Sequence, residues 1–201
     1  AHLAQATTVP PRRREAWLFR ANLAQRVGDW SAHAAYADRF FKRWSLNISE
    51  LWRRADVVET ASEAPATPTL TVVMTTFNSA AHLESSIQSL LAQTFTDFEL
   101  IVVDDASTDD GATLRTIEAW RERDARIRVI RQKTNGGTYR AKNAALPLAR
   151  GRYITCHDSD DWAFPDRFER EVRILERRQQ LIAVQSAWVR MTQARRFVPM
   201  R

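Results

Sequence analysis

The chain has 201 residues, 44% hydrophobic and 27% charged, with a formal net charge of +6, a balance that excludes a disordered polymer and suits one ordinary domain with an appendage. Its single cysteine, Cys156, excludes an internal disulfide and a cysteine-rich zinc site and suits a reducing, cytoplasmic compartment. The excess of Lys and Arg favours anionic partners, such as a nucleotide, a nucleic acid or the acidic inner face of a membrane, while no apolar run approaches the ~20 residues that cross a bilayer.

The chain begins at Ala1 without a methionine or a signal-type leader, which leads us to expect a piece of a longer protein. Pro10-Pro11 delays the first helix. From Arg12 to Arg26, Ala16, Phe19 and Leu23, with Val27 beyond, recur at helical spacing, and after Gly28-Asp29 the residues Trp30, Ala34, Ala37, Phe40, Phe41 and Trp44 repeat that period to Leu46. Asn47 with Glu50 is a capping signature for a third helix through Leu51, Trp52 and Val57. Residues 1–59 therefore read as a helical appendage, able to offer a surface to a protein partner. Thr60 to Thr69, rich in Ala, Ser, Thr and Pro, reads as a linker.

From Leu70 the pattern alternates. Short β-rich runs at Leu70–Met74, Phe98–Val103, Ile127–Ile130, Tyr153–Cys156 and Leu181–Val189 are separated by helical stretches at Ala80–Gln93, Gly111–Arg123, Thr138–Ala149 and Asp166–Gln179. Such alternation predicts an α/β domain over 70–201, with a mainly parallel sheet flanked by helices. Ligands of open parallel sheets bind beyond the carboxyl ends of the strands. Those ends carry Thr75-Thr-Phe-Asn78, Asp104-Asp-Ala-Ser107, Asn135-Gly-Gly137 and His157-Asp-Ser-Asp-Asp161. Polar and acidic groups thus converge on one rim from strands far apart in the chain.

Asp158, Asp160 and Asp161 crowd within four residues, and charges so close repel unless protons or a cation sit among them. Magnesium or manganese suits such oxygen ligands and characteristically takes one or two protein carboxylates plus diphosphate oxygens. A solvated acidic turn ahead of a helix starting near Pro165 fits the same residues. None of the five glycines builds a phosphate-cradling loop, so a diphosphate at this rim needs other positive charge, which a metal on Asp160 would supply. Asp105 can accept a hydrogen bond from a base ring nitrogen and Phe77 can stack on the base; a helix N-cap pair at Asp104-Asp105 and an ordinary loop aromatic are the plain alternatives.

Thr75 to Asn78, Leu91-Ala-Gln-Thr-Phe95, Phe98 to Asp109, Asn135-Gly-Gly137 with Lys142-Asn143, and His157 to Asp161 with Pro165, in this order, resemble family 2 glycosyltransferases of the GT-A fold over Leu70 to Val189. The resemblance implies a nucleotide-sugar donor, a UDP-sugar being favoured, a Mn2+ or Mg2+ ion bound at a DxD-type motif, inversion at the anomeric carbon, a glycan acceptor in polysaccharide or glycoconjugate synthesis, and no nucleic-acid partner. Position by position it places Thr75, Phe77 and Asp105 at the base, Asp158 near the ribose, Asp160 on the metal and Lys142, an arginine in many relatives, near the diphosphate. Asn78, Asp104 and Ser159 complete the expected donor set. An inverting transfer needs a general base. After Pro165 the acids are Asp166, Glu169, Glu171 and Glu176, all on a predicted helix and none convincing, so the expectation is a donor-binding half without its acceptor-binding part. A non-catalytic nucleotide-sugar module and a helical interaction scaffold are the competing readings.

Overall fold

The computed structural model describes residues 15–42, 58, 60–186, 190–191 and 197–198. The chain divides into two compact units, residues 1–54 with 185–201, and residues 55–184. In the first unit, helices α1 (Glu15–Arg26) and α2 (Trp30–Phe41) form an antiparallel-type hairpin connection around Gly28, whose φ of +78° is the left-handed value that glycine adopts without strain. Asp29 caps α2 by accepting from the Ala32 N–H at 2.9 Å. The helices meet through Ala21, Ala24 and Ala37, all fully buried, and buried His33 Nδ1 donates to the Ala21 carbonyl at 2.8 Å. Val27 and Trp30, expected on the buried stripe, lie 60% and 55% exposed because they flank the turn. The third helix expected from Asn47 lies outside the described residues. A two-stranded antiparallel pair, β5 (Arg190–Met191) with β6 (Phe197–Val198), belongs to this unit.

The second unit is built on β1 (Leu70–Thr76), β2 (Phe98–Asp104), β3 (Ile127–Arg131) and β4 (Tyr153–Asp158), all parallel in the order β3-β2-β1-β4. Helices α3 (Ala80–Leu91), α4 (Ala112–Arg123), α5 (Thr138–Ala145) and α6 (Arg167–Arg177) connect or follow them. Every residue of β1 and β2 is buried, as continuous apolar runs in a two-sided parallel sheet require. One face packs Val72, Met74, Leu100 and Val102 against Leu83, Ile87 and Ile117 of α3 and α4 and against Phe168 and Val172 of α6. The other is thinner, with Val73, Ile101 and Val103 under Ala141 and Ala145 of α5. Burying side chains of this size contributes about 1.5–3 kcal/mol each.

Several boundaries shift from the sequence expectation by one or two residues, and three differences bear on the site and its surroundings. Helix α5 stops at Ala145 and tightens into a 3-10 turn at Leu146–Leu148, since Pro147 has no N–H for an α-helical bond. β4 continues two residues past Cys156 to Asp158, which carries its acidic end onto the rim. The strand expected at Leu181–Val189 does not form over residues 181–186, which are irregular; residues 187–189 lie outside the described set.

Candidate functional site

The parallel register brings Thr75 alongside both Val103 and Asp158, and Thr76 alongside Asp104. The carboxyl ends of β1, β2 and β4 therefore open side by side into a cavity of about 410 Å³ whose walls include Thr75, Phe77, Asn78, Asp105, Asp158, Ser159 and Asp160. Seven of the nine residues expected at the site share this one space. The other two, Asp104 and Lys142, do not line it. Asp104 is buried and turns its carboxylate to the Ser107 N–H at 3.3 Å, while Lys142 reaches the site through Asp158.

The loops after β1 and β2 are stapled together by Asn78. Its side-chain oxygen accepts from the Thr108 N–H at 2.7 Å, and its own N–H donates to Ser107 Oγ at 3.0 Å. Both loops turn on residues with positive φ, Asn78 at 50° and Ala106 at 61°. For alanine this is strain of order 1 kcal/mol, held in place by the bonds around it. Phe77 is left 44% exposed, its ring free to meet a planar ligand.

Asp105 is only 3% exposed. Its Oδ2 accepts from the Gly137 N–H at 2.7 Å and its Oδ1 from the Gly136 N–H at 3.0 Å. The carboxylate thus ties the β2 end to the glycine turn that starts α5, and with about four lone-pair sites it retains acceptor capacity toward the cavity. Across the opening, Lys142 Nζ donates to Asp158 Oδ1 at 2.9 Å. Burial works against the charged lysine, but the hydrogen bond to Asp158 and that residue's charge outweigh it and hold the ammonium above its ordinary range.

The acidic turn is fixed from α3. Ser86 Oγ donates to the Asp158 carbonyl at 3.2 Å, Ser89 Oγ accepts from the Ala163 N–H at 3.0 Å, and Gln93 Nε2 donates to the Phe164 carbonyl at 2.7 Å. Burial, followed by the charges of Asp158 and Asp160, raises the Asp161 pKa above the ordinary carboxylate value, so the turn concentrates negative potential. Among the described residues no three His, Cys, Asp or Glu side chains are gathered as a ready metal cage.

Sequence reasoning overlooked His82, Ser79 and Thr138 on the cavity wall. Each sits in or just before the first turn of a helix that follows a strand end, and that position was the available signal. Also overlooked was Arg167, whose guanidinium donates to His157 Nδ1 at 3.2 Å and to Thr155 Oγ1 at 2.9 Å.

The chain is similar to the glycosyltransferase GlyG of Streptococcus pneumoniae, 38% identical over 46% of this chain and 30% of that protein. It is likewise similar to the chondroitin synthase of Escherichia coli, 36% identical over 61% of this chain and 17% of that one. The chain therefore spans a minority of each relative's length. Among solved structures, S. aureus TarS 1–349 in complex with UDP-GlcNAc superposes with a TM-score of 0.51 and 31% identity over 55% of this chain and 32% of that one. The architecture is that of the GT-A glycosyltransferases. The model of glycosyl transferase family 2 matches residues 71–200, and the chain belongs to that family.

Proposed function

We propose that residues 70–184 form the donor site of an inverting glycosyltransferase that takes a UDP-sugar and serves polysaccharide or glycoconjugate synthesis. The observation that carries the reading is the single cavity shared by Phe77, Asp105, Asp158 and Asp160, which sets an aromatic face and an acceptor for a base at one end and carboxylates for a cation at the other. The binding of UDP-GlcNAc by TarS supports the choice of nucleotide.

In this reading Phe77 stacks on the base, Asp105 accepts from its ring N–H beside Thr75, and Asp158 faces the ribose. Asp160, exposed on the acidic turn, holds Mn2+ or Mg2+, which when bound neutralises the diphosphate as a leaving group. Lys142 adds a second positive charge once it releases Asp158. The acceptor oxygen bonds to the anomeric carbon on the face opposite the diphosphate, the bond from that carbon to the phosphate oxygen breaks with its electron pair leaving on UDP, and the hydroxyl proton passes to a base.

We assign that base to none of the four acids on or beside α6. Asp166 is paired with Arg170, Glu171 with Arg167, and Glu176 with Arg152 and the Tyr153 hydroxyl, while Glu169 accepts from Thr94 Oγ1. Each carboxylate is already engaged by an ion pair or a hydroxyl on its own flank of the domain. Isothermal titration with UDP, GDP and dTDP, with and without manganese, tests the reading. Manganese should strengthen UDP binding in the wild type and not in Asp160→Ala; equal UDP affinity with and without metal in both proteins would overturn it.

A further inference from the structure

Arg167 opens α6 and points its guanidinium back to β4. Nη1 donates to His157 Nδ1 at 3.2 Å, Nη2 to Thr155 Oγ1 at 2.9 Å, and Nε to Glu171 Oε1 at 3.1 Å. His157 is 4% exposed and immediately precedes Asp158. A guanidinium only donates, so Nδ1 must accept and the ring is neutral with its proton on Nε2. Nε2 is buried without a hydrogen-bond partner. The imidazole is therefore held through Nδ1 by a guanidinium anchored on α6, directly ahead of the acidic turn.

The fastenings from α3 bear on the two flanks of that turn, at the Asp158 carbonyl and at Ala163 and Phe164. Inside the turn Ser159 Oγ donates to Ser79 Oγ at 3.0 Å, and the Arg167–His157 pair fixes the residue by which the chain enters it. We propose that Arg167 is a positioning residue which, through neutral His157, sets the direction in which the Asp158–Asp161 turn presents its carboxylates to the cation and diphosphate end of the donor. The proposal rests on the donor-site reading above. It is consistent with the choice of a neutral ring, because a second cation inside the turn would compete with the metal for the same carboxylates. Burial, and then the charge of Arg167, push the imidazole down to about 4, so the ring stays uncharged at neutral pH.

The test compares uridine, UDP and UDP with manganese by isothermal titration in the wild type, Arg167→Ala, His157→Leu and His157→Asn, with thermal melts alongside. The wild type's own response to manganese, measured first, judges the donor-site reading alone. Given that response, Arg167→Ala and His157→Leu should each lose about tenfold or more of manganese-dependent UDP affinity, the scale on which groups behind metal ligands act, with uridine affinity within about twofold. Arg167→Ala combined with His157→Leu, titrated alongside, should lose no more than either single variant, since the two act as one unit. His157→Asn, whose side-chain oxygen can stand where Nδ1 accepted, should recover affinity to within about threefold of wild type. If Arg167→Ala melts below the titration temperature, the two His157 variants, which leave Arg167 on Thr155 and Glu171, decide the matter. A manganese response kept by the variants, a parallel loss of uridine and UDP affinity, or failure of His157→Asn to exceed His157→Leu would each overturn the proposal.

Discussion

Lys142 Nζ lies 2.9 Å from Asp158 Oδ1, the lysine on α5 and the aspartate at the tip of β4. The pair joins Lys142 to the cavity wall at Asp158, a contact that a diphosphate there would have to share. An ion pair this exposed adds at most about 1 kcal/mol to stability, so Lys142→Ala should leave the melting temperature almost unchanged. A charge-assisted contact to phosphate is worth more, about 1.5–3 kcal/mol. UDP affinity should therefore fall roughly ten- to a hundredfold in Lys142→Ala while uridine affinity holds, as titration of both ligands would show.

Asp105→Ala has a broader effect, because the carboxylate bonds the Gly136 and Gly137 N–H groups as well as facing the cavity. The N–H groups of Gly136 and Gly137, both exposed residues, lose their acceptor, at about 0.5–1.5 kcal/mol each, the net worth of a typical hydrogen bond. Uridine and UDP should weaken together by roughly tenfold or more, and the protein should melt several degrees lower. A loss confined to UDP, with uridine unchanged, would place the residue at the phosphate end instead.

His157 gives the fold a signature in acid. Its pKa is lowered from 6.5 to about 4 in the native state, so between those values the unfolded chain takes up a proton that the native ring refuses. Stability from this group is whole above about pH 6.5 and is lost as the pH falls toward 4, by about 3 kcal/mol in total. Asp161, raised in the folded state, works in the opposite sense and offsets part of the loss. Chemical denaturation at intervals from pH 7 to pH 4 should show the decline, and His157→Asn should flatten it.

Glu99 predicts a stability effect far from the site. It is fully buried near the start of β2, where its carboxylate accepts from Thr71 Oγ1, Arg128 Nη1 and the Arg150 N–H and guanidinium. Burial alone would raise its pKa, but these donors outweigh that and hold it below the ordinary value. Its loss strands the buried Thr71 hydroxyl but leaves Arg128 and Arg150, 37% and 41% exposed, to water, at about 1–3 kcal/mol in all. Glu99→Ala should lower the free energy of unfolding by that amount, and the protein that remains folded should bind UDP as the wild type does.

The four central strands, the helices between them and the shared rim were legible because a two-sided parallel sheet writes itself as apolar runs ending abruptly in polar residues. Leu70–Thr76 and Phe98–Asp104 are such runs. The run at Leu181–Val189 has the same composition, but composition does not state whether a sheet neighbour exists, and Leu181 and Ile182 are exposed. At the site, the adjacent aspartates could not be told apart by type. Geometry separates them, since Asp104 folds back on Ser107 and Asp105 reaches Gly136 and Gly137. Arg167 stayed hidden for a related reason: its i,i+4 partner Glu171 reads as an ordinary solvated pair, and nothing local announces a guanidinium that also reaches ten residues back to His157.

The strand order places the two ends of the cavity on material of different permanence. β1 and β2 lie inside the sheet and are buried throughout, whereas β4 lies at its edge and alternates half-buried with exposed residues through Cys156. Amide hydrogens of the end proposed for the base should thus exchange only on the slowest, near-global openings, while those of β4 and the acidic turn exchange through shallower local ones. The chain would grip a base with its most permanent strands and a cation with its most yielding one, so that a bound metal slows exchange most where the unliganded protein exchanges fastest.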